Sequence, residues 1–401
     1  EKLVEKISSN KIFIHIKTKK INLLTLCLKL NILPFKGLLI FDRRKLLEIF
    51  NKQSFDKKKR SQITLSFKKK DEFDKYISMK IQRDLPRVFL ENFNDIQNLH
   101  QNKLPKTKII VSDTLHKYNA AFKSWLAFKK NLNKNFKIIT ADHGGLYGNG
   151  KRTYDYDQAI SSVNLKYKKK VSKNQISLPS LFLDKNKTNL KRQILIICHD
   201  TSKYPRYFFT GPICEEIYFQ YHQVKKFTNN LCEDINKRVF IRPYTINSGW
   251  KLGEKYKRLF GEQKIINSNI KYNKLRDQAA IKIITYPKTA FLESLINGPT
   301  FLLFNKEHYC DIKQNEKFMN ILFKNKIAFT NGRDLAIHIN EIEKDIESWW
   351  QQNKIQKSID LFIKNNNIYT KNPTTKWAKV IKKLLSITKN KKNYFNNAKN
   401  S

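Results

Sequence analysis

The chain has 401 residues, 40% hydrophobic and 12% aromatic, enough for two domains with buried cores and unlike a disordered composition. Its formal net charge is +45, from 79 basic and 34 acidic residues. Of the basic residues 66 are Lys and 13 are Arg, spread along the whole chain, whereas a nucleic-acid reader clusters its charge and favours Arg. With abundant Asn, Ile and Phe, this is the signature of AT-rich codons, so the charge is weak support for a nucleic-acid partner. It does favour anionic substrates and anionic membrane surfaces.

No stretch of about 20 apolar residues is present to span a bilayer. The nearest, residues 21–41, is cut by Lys29, Pro34 and Lys36 and reads as a buried or interfacial helix. Five cysteines without a CxxC pair argue against a disulfide framework or a zinc site and fit a reducing cytoplasm. The first residue is Glu1 rather than Met, so the chain is expected to begin inside a longer protein, with its first domain incomplete at the front.

In chain order, residues 1–80 are the least legible, and the basic runs 57–60 and 68–70 read as solvated loops or helix faces. Residues 122–131 have helical spacing, and 135–140 form a strand that feeds a glycine-rich loop. Residues 163–192 mix strand-like alternation with a polar segment, which places a linker near 183–192. Beyond it, strands at 193–200, 238–244, 280–286, 299–304 and 327–330 alternate with helices at 214–231, 250–260, 271–279, 288–298, 316–325 and 332–352. Such alternation means βαβ units and a parallel sheet, whose ligands sit beyond the carboxyl ends of the strands. The paired Trp349 and Trp350 read as core rather than as a sugar platform.

Three constellations fall at those strand ends. In residues 279–305 a strand runs into Tyr286-Pro287-Lys288-Thr289 and then a helix. Thr289 stands at the helix start, where free N–H groups attract an anion, and Glu293 lies one turn deeper, placed for a ribose diol. The alternative is an ordinary capped helix with a surface glutamate. Arg242, one of few arginines, leaves a strand end and suits either a diphosphate or a structural salt bridge. The loop after residue 198 brings His199, Asp200, Lys203 and Arg206, a ligand loop or a solvent-exposed one. Earlier, His143 opens a stretch with four of the chain's eleven glycines, Gly144, Gly145, Gly148 and Gly150. Such a loop lets backbone approach a ligand, or is simply a long turn. Walker A, GxSxG and HExxH motifs are absent, and the isolated Asp155-Tyr156-Asp157 is too short to assign a metal.

Five stretches in order, 111–127, 143–148, 241–250, 285–305 and 345–350, resemble a bacterial transferase family encoded in surface-carbohydrate (lipopolysaccharide and capsule) gene clusters. Its members look like two-domain GT-B glycosyltransferases. The resemblance implies an α/β fold with two Rossmann-like domains facing a cleft. It places an acceptor-side domain at 1–185, a nucleotide-donor domain at 190–345 and C-terminal helices with a polar tail at 346–401. It implies a nucleotide-activated sugar as donor substrate and a lipid-linked or polysaccharide acceptor. No tightly bound cofactor is implied, no metal ligands are assigned, and the metal requirement stays open. Tyr286, Lys288, Thr289 and Glu293 would hold the nucleotide, and His143 would polarise the acceptor or steady the diphosphate beside Gly144 and Gly145. The chain departs from the family pattern at Asp142, where Gln is usual, at Pro287, where Asn is usual, and at Asn305 in place of an aromatic residue. The implied setting is cytoplasmic, peripheral at the inner membrane. The alternatives are a polyol-phosphate polymerase of the same fold and a non-enzymatic basic protein that binds nucleic acid or a membrane surface.

Overall fold

The computed structural model describes residues 12–32, 54–65, 71–95, 97–98, 107–145, 151–169, 172–185, 191–204, 214–267, 269–309 and 316–397. It is an α/β fold with two parallel sheets of five strands each. The chain divides into two compact units: the first takes residues 1–16, 23–141 and 378–401, the second 17–22 and 142–377.

In the first unit, strands β1 (Ile12–His15), β2 (Ile109–Ser112) and β3 (Lys137–Ala141) pair in parallel. β2 is buried along its whole length, as a strand covered on both faces must be. Helices α1 (Lys57–Ser61), α2 (Glu72–Asp84) and α3 (Ala120–Leu132) belong to the same unit. Asn119 caps α3 by accepting from the Phe122 N–H at 2.9 Å, and α3 then lays Phe122, Trp125 and Leu126 against Phe13, Ile110, Phe136 and Ile138. The basic run 57–60 is not all solvated. Arg60 is buried and reaches Glu91 from Nε (2.6 Å) and Nη2 (2.9 Å), while its remaining donors take the carbonyls that end α2. The guanidinium beside Glu91 pulls that carboxyl down to about 2. A run of like charges conceals such a partner because its complement lies 31 residues away.

The second unit holds the parallel pair β4 (Val163–Lys166) and β5 (Gln175–Ser177) and a complete five-stranded sheet. The sheet's strands are β6 (Lys191–Ile197), β7 (Val239–Arg242), β8 (Ala279–Ile284), β9 (Thr300–Leu303) and β10 (Ala328–Phe329). Its spatial order is β10-β9-β8-β6-β7. The chain therefore steps from β6 outward to β7, then returns to the other side of β6 and proceeds through β8, β9 and β10. This is a doubly wound arrangement with its switch point between β6 and β8, where connections leave in opposite directions and open a crevice. The connecting helices are α4 (Glu215–Asn229), α5 (Leu252–Phe260), α6 (Tyr272–Gln278), α7 (Thr289–Leu295), α8 (Glu316–Lys324) and α9 (Gly332–Ile342), followed by α10 (Ile346–Gln351) and α11 (Asn353–Asn366). Ile194, Ile196, Ile281, Ile283, Phe301 and Leu303 form the sheet's contribution to one core with Val224, Phe227, Leu335 and Ile339. Trp349 stacks on Phe301 at 5.5 Å and Trp350 is buried, so the tryptophan pair is core as its sequence suggests.

Helices α4 and α9 meet where a side chain cannot fit. Gly332 donates its N–H to Gln223 Oε1 at 2.7 Å, and a Cβ there would collide with the Gln223 carbonyl and stand 2.9 Å from the Phe227 nitrogen. Both obstacles are backbone, so neither can rotate away. Gly332→Ala should cost about 1–3 kcal/mol of overpacking, read as a lower denaturant midpoint at unchanged slope; an unchanged midpoint would contradict this packing.

Candidate functional site

The ends of β6, β7 and β8 are laced together before any ligand arrives. The Cys198 N–H donates to the Arg242 carbonyl and the Thr285 N–H to the Ile197 carbonyl. Gln220, from α4, brackets the His199 peptide: Oε1 accepts its N–H at 2.8 Å and Nε2 donates to its carbonyl at 2.9 Å. The Thr285 hydroxyl donates to the Ile197 carbonyl at 3.2 Å and lies against Gln220 Oε1. His199 is thus fixed at the switch point by its own backbone, leaving its ring to the site.

That ring stacks on Tyr286 at 4.6 Å, tilted 28°, and meets the edge of Tyr244 at 5.7 Å. Its Nδ1 is buried with no hydrogen-bond partner among the described residues. Burial, helped by the Lys288 cation, pushes the imidazole down to about 4, so it is neutral at physiological pH. Asp200 next to it holds the Ser248 N–H with Oδ2 at 3.0 Å, while its Oδ1 is buried without a partner.

Arg242, at the end of β7, is 8% exposed. Its Nε has no partner, and the one hydrogen bond of its head group among the described residues is a long 3.5 Å reach from Nη2 to the Ile270 carbonyl. Among the described residues no carboxylate pairs with it. A buried guanidinium is costly without a counter-charge, and buried groups of this kind are normally paired.

The β8 loop leads into α7. Lys288 precedes the helix and gives it no side-chain cap. From α6 the Tyr272 hydroxyl takes Ala290 O at 2.9 Å and Ser294 Oγ at 2.8 Å, which orients α7. Glu293 is half-buried rather than a surface glutamate. Burial raises its carboxyl above the usual range, against the pull of Lys17, Arg276 and Lys19. The Tyr286 hydroxyl is raised chiefly by burial and also by Tyr244 and Glu293, with Arg242 opposing. Arg242, Tyr244 and Glu293 thus all act on Tyr286, which stacks on His199.

The glycine loop docks on this helix. The Gly145 N–H donates to Thr289 Oγ1 at 3.0 Å, and a Cβ at Gly145 would stand 3.1 Å from Thr289 Cα. Gly144 has φ +74, and a Cβ there would collide with Thr289 Oγ1. The backbone approach that these two glycines permit is thus made to the chain's own helix start, and the Thr289 hydroxyl is engaged in it. His143 is half-buried beside them. Gly148, Gly150 and Arg206 lie outside the described residues. Asp142, just before the loop, is buried against Lys166 (2.8 Å) and the Tyr167 N–H (3.0 Å), which anchors the loop at its root.

Lys17 is the residue that sequence reasoning passed over. Its Nζ lies 3.7 Å from where a Gly144 Cβ would stand and 5.4 Å from the Phe182 ring centroid, and its charge reaches Glu293. Lys19 beside it pairs with Asp184. One lysine among 66 gives no signal in the sequence; only its place after β1 could have pointed to it. The assembled site offers cations (Arg242, Lys17, Lys288), a carboxylate (Glu293), flat rings (His199, Tyr286, Tyr244) and a histidine on the glycine loop. That set can hold an anion together with a hydroxylated ring.

Residues 1–381 match the LIC12162 family transferase, and the chain belongs to that family. It is a transferase by family. No curated protein matches it. Among solved structures, the chain is similar to MnaA of S. aureus in its structure with UDP, at 11% identity over 94% of this chain and 97% of that one, with a TM-score of 0.47. It is also similar to WaaG, a glycosyltransferase involved in lipopolysaccharide biosynthesis, at 10% identity over 74% and 96% with a TM-score of 0.36. For the α,α-trehalose 6-phosphate synthase of Burkholderia multivorans the identity is 8% over 86% and 80%, with a TM-score of 0.38.

The docking of the glycine loop makes a paired prediction. Gly144→Ala should destabilise by about 1–3 kcal/mol through the left-handed backbone and the Thr289 collision. Thr289→Ala added to it should restore part of that loss. Strict additivity of the two changes in a denaturation series would contradict the contact.

Proposed function

We propose that this transferase moves a glycosyl group from a nucleotide-activated donor to a surface-polysaccharide or lipid-linked acceptor, with the nucleotide held at the β6/β8 switch point. The observation that carries the reading is Arg242: a buried cation at the end of β7, the strand beside β6, with no carboxylate partner among the described residues. A donor diphosphate supplies the missing charge. Glu293 accepts from the ribose hydroxyls one helical turn inside, and the stacked Tyr286 and His199 rings offer a face to the base or sugar.

In this reading the acceptor hydroxyl oxygen bonds to the anomeric carbon of the donor sugar as the bond from that carbon to the diphosphate oxygen breaks. The acceptor proton passes to His143, and the nucleoside diphosphate leaves with its new charge held by Arg242, Lys17 and Lys288. The surface lysines would bring the enzyme to an anionic membrane, where a lipid-linked acceptor is presented.

Calorimetric titration with UDP, GDP, CDP, CMP, ADP and dTDP tests the reading. One nucleotide should bind, and Arg242→Leu should weaken it about 10- to 100-fold, the loss of a charge-assisted contact. The same substitution should raise the melting temperature of the ligand-free chain, because it removes an unpaired buried charge. A lower melting temperature with unchanged binding would make Arg242 structural. Binding should also weaken as pH falls from neutral, starting above the ordinary glutamate range, because the raised Glu293 carboxyl must be ionised to accept. Glu293→Gln should flatten that dependence; an identical pH profile in wild type and variant removes Glu293 from the ribose contact.

A further inference from the structure

A cavity of about 370 Å³ opens at the far end of α7 from Thr289, beside the Gly298-Pro299 turn that starts β9. It lies on the amino-terminal side of the sheet and shares no residue with the switch-point site. Its volume is within the range of small-ligand pockets, roughly 300–1,000 Å³. Helices α10 and α11 supply half of the wall, with Glu347 and Trp350 from the first and Gln356 and Asp360 from the second; the rest is the largely apolar stretch 295–299, Tyr369 and Lys185.

The charge of this wall runs against the chain. Basic residues outnumber acidic ones 79 to 34 overall, yet here two carboxylates face one lysine. Neither carboxylate takes a side-chain hydrogen bond or ion pair among the described residues, though the charge of Glu347 reaches the buried Lys282. Gln356 donates its amide N–H to the Trp350 carbonyl at 2.7 Å, which turns its Oε1 into a further acceptor. The wall is thus rich in acceptors and carries two aromatic side chains. Local carboxylates disfavour an anion, and Lys185 with the buried Lys282, whose Nζ lies 3.2 Å from where a Gly298 Cβ would stand, disfavours a cation. What remains is a neutral ligand with many hydroxyl donors and a ring to lie against the half-buried Tyr369.

We infer that this cavity is a second binding site, for a neutral saccharide. Helix α7 has seven residues, so at about 1.5 Å per residue its two ends lie roughly 10 Å apart. A glycan chain held here is near the transfer site without occupying it. That the saccharide belongs to the acceptor rests on the proposed glycosyl transfer; that it binds does not.

Saturation-transfer NMR with glucose, galactose, rhamnose, N-acetylglucosamine and N-acetylgalactosamine is the test, with glucose 6-phosphate and spermidine as charged controls. At least one neutral sugar should bind better than either control. The double variant Glu347→Ala/Asp360→Ala, at two exposed positions, should weaken it at least tenfold and leave nucleotide affinity within twofold. Arg242→Leu should leave the sugar affinity unchanged. Absence of binding by every neutral sugar, preference for a charged control, or binding indifferent to the double variant overturns the inference. Sugar binding without any nucleotide binding would instead sink the transfer reading and keep the site.

Discussion

The site depends on an uncompensated charge held at a fixed place. Hydrophobic strands of β-branched residues pair in parallel, and their order forces the connections of β6 and β8 apart. Arg242 ends the neighbouring strand, where its backbone carbonyl is already committed to Cys198. The guanidinium cannot leave with the backbone, and among the described residues no carboxylate pairs with it. Elsewhere the same chain pairs its buried arginines with care: Arg60 has Glu91, and Arg276 has Asp277. Against that background, the lone Arg242 marks a contact left for something else to complete.

Around that charge the supporting residues act through rigidity. Gln220 and Thr285 fix the peptide of His199, and Tyr272 fixes α7. The glycine loop then closes onto the helix start through Gly145 and Thr289. Groups held this way lose little freedom when a ligand binds, which is how a small number of polar contacts becomes effective.

The second unit is largely legible because its strands are short apolar runs between helical patterns, and their length and β-branched residues read as parallel strands buried on both faces. The strand, helix and loop spans around Thr289, Arg242 and His199 follow that pattern closely. Where lysine does the work of an interior residue, the pattern is silent. Lys166 is buried against Asp142, and Lys282, inside β8, is wholly buried and donates to the Asn297 carbonyl. Burial pushes Lys282 down to about 7. In a lysine-rich chain neither can be told from a solvated neighbour. The glycines at 144 and 145 signal a place of close approach, but the partner is a helix more than 140 residues on. Sequence carries the need for space, and only tertiary structure says what fills it. Lys17 and the cavity by Trp350 were invisible for the same reason, since each is assembled from segments far apart in the chain.

A crystal structure of the chain with whichever nucleoside diphosphate it binds tests the central claim most directly. The account predicts diphosphate oxygens about 2.7–2.9 Å from the Arg242 guanidinium, with the ribose hydroxyls on Glu293 and His199 still stacked on Tyr286. A nucleotide found elsewhere, with Arg242 still turned to the Ile270 carbonyl, would contradict it.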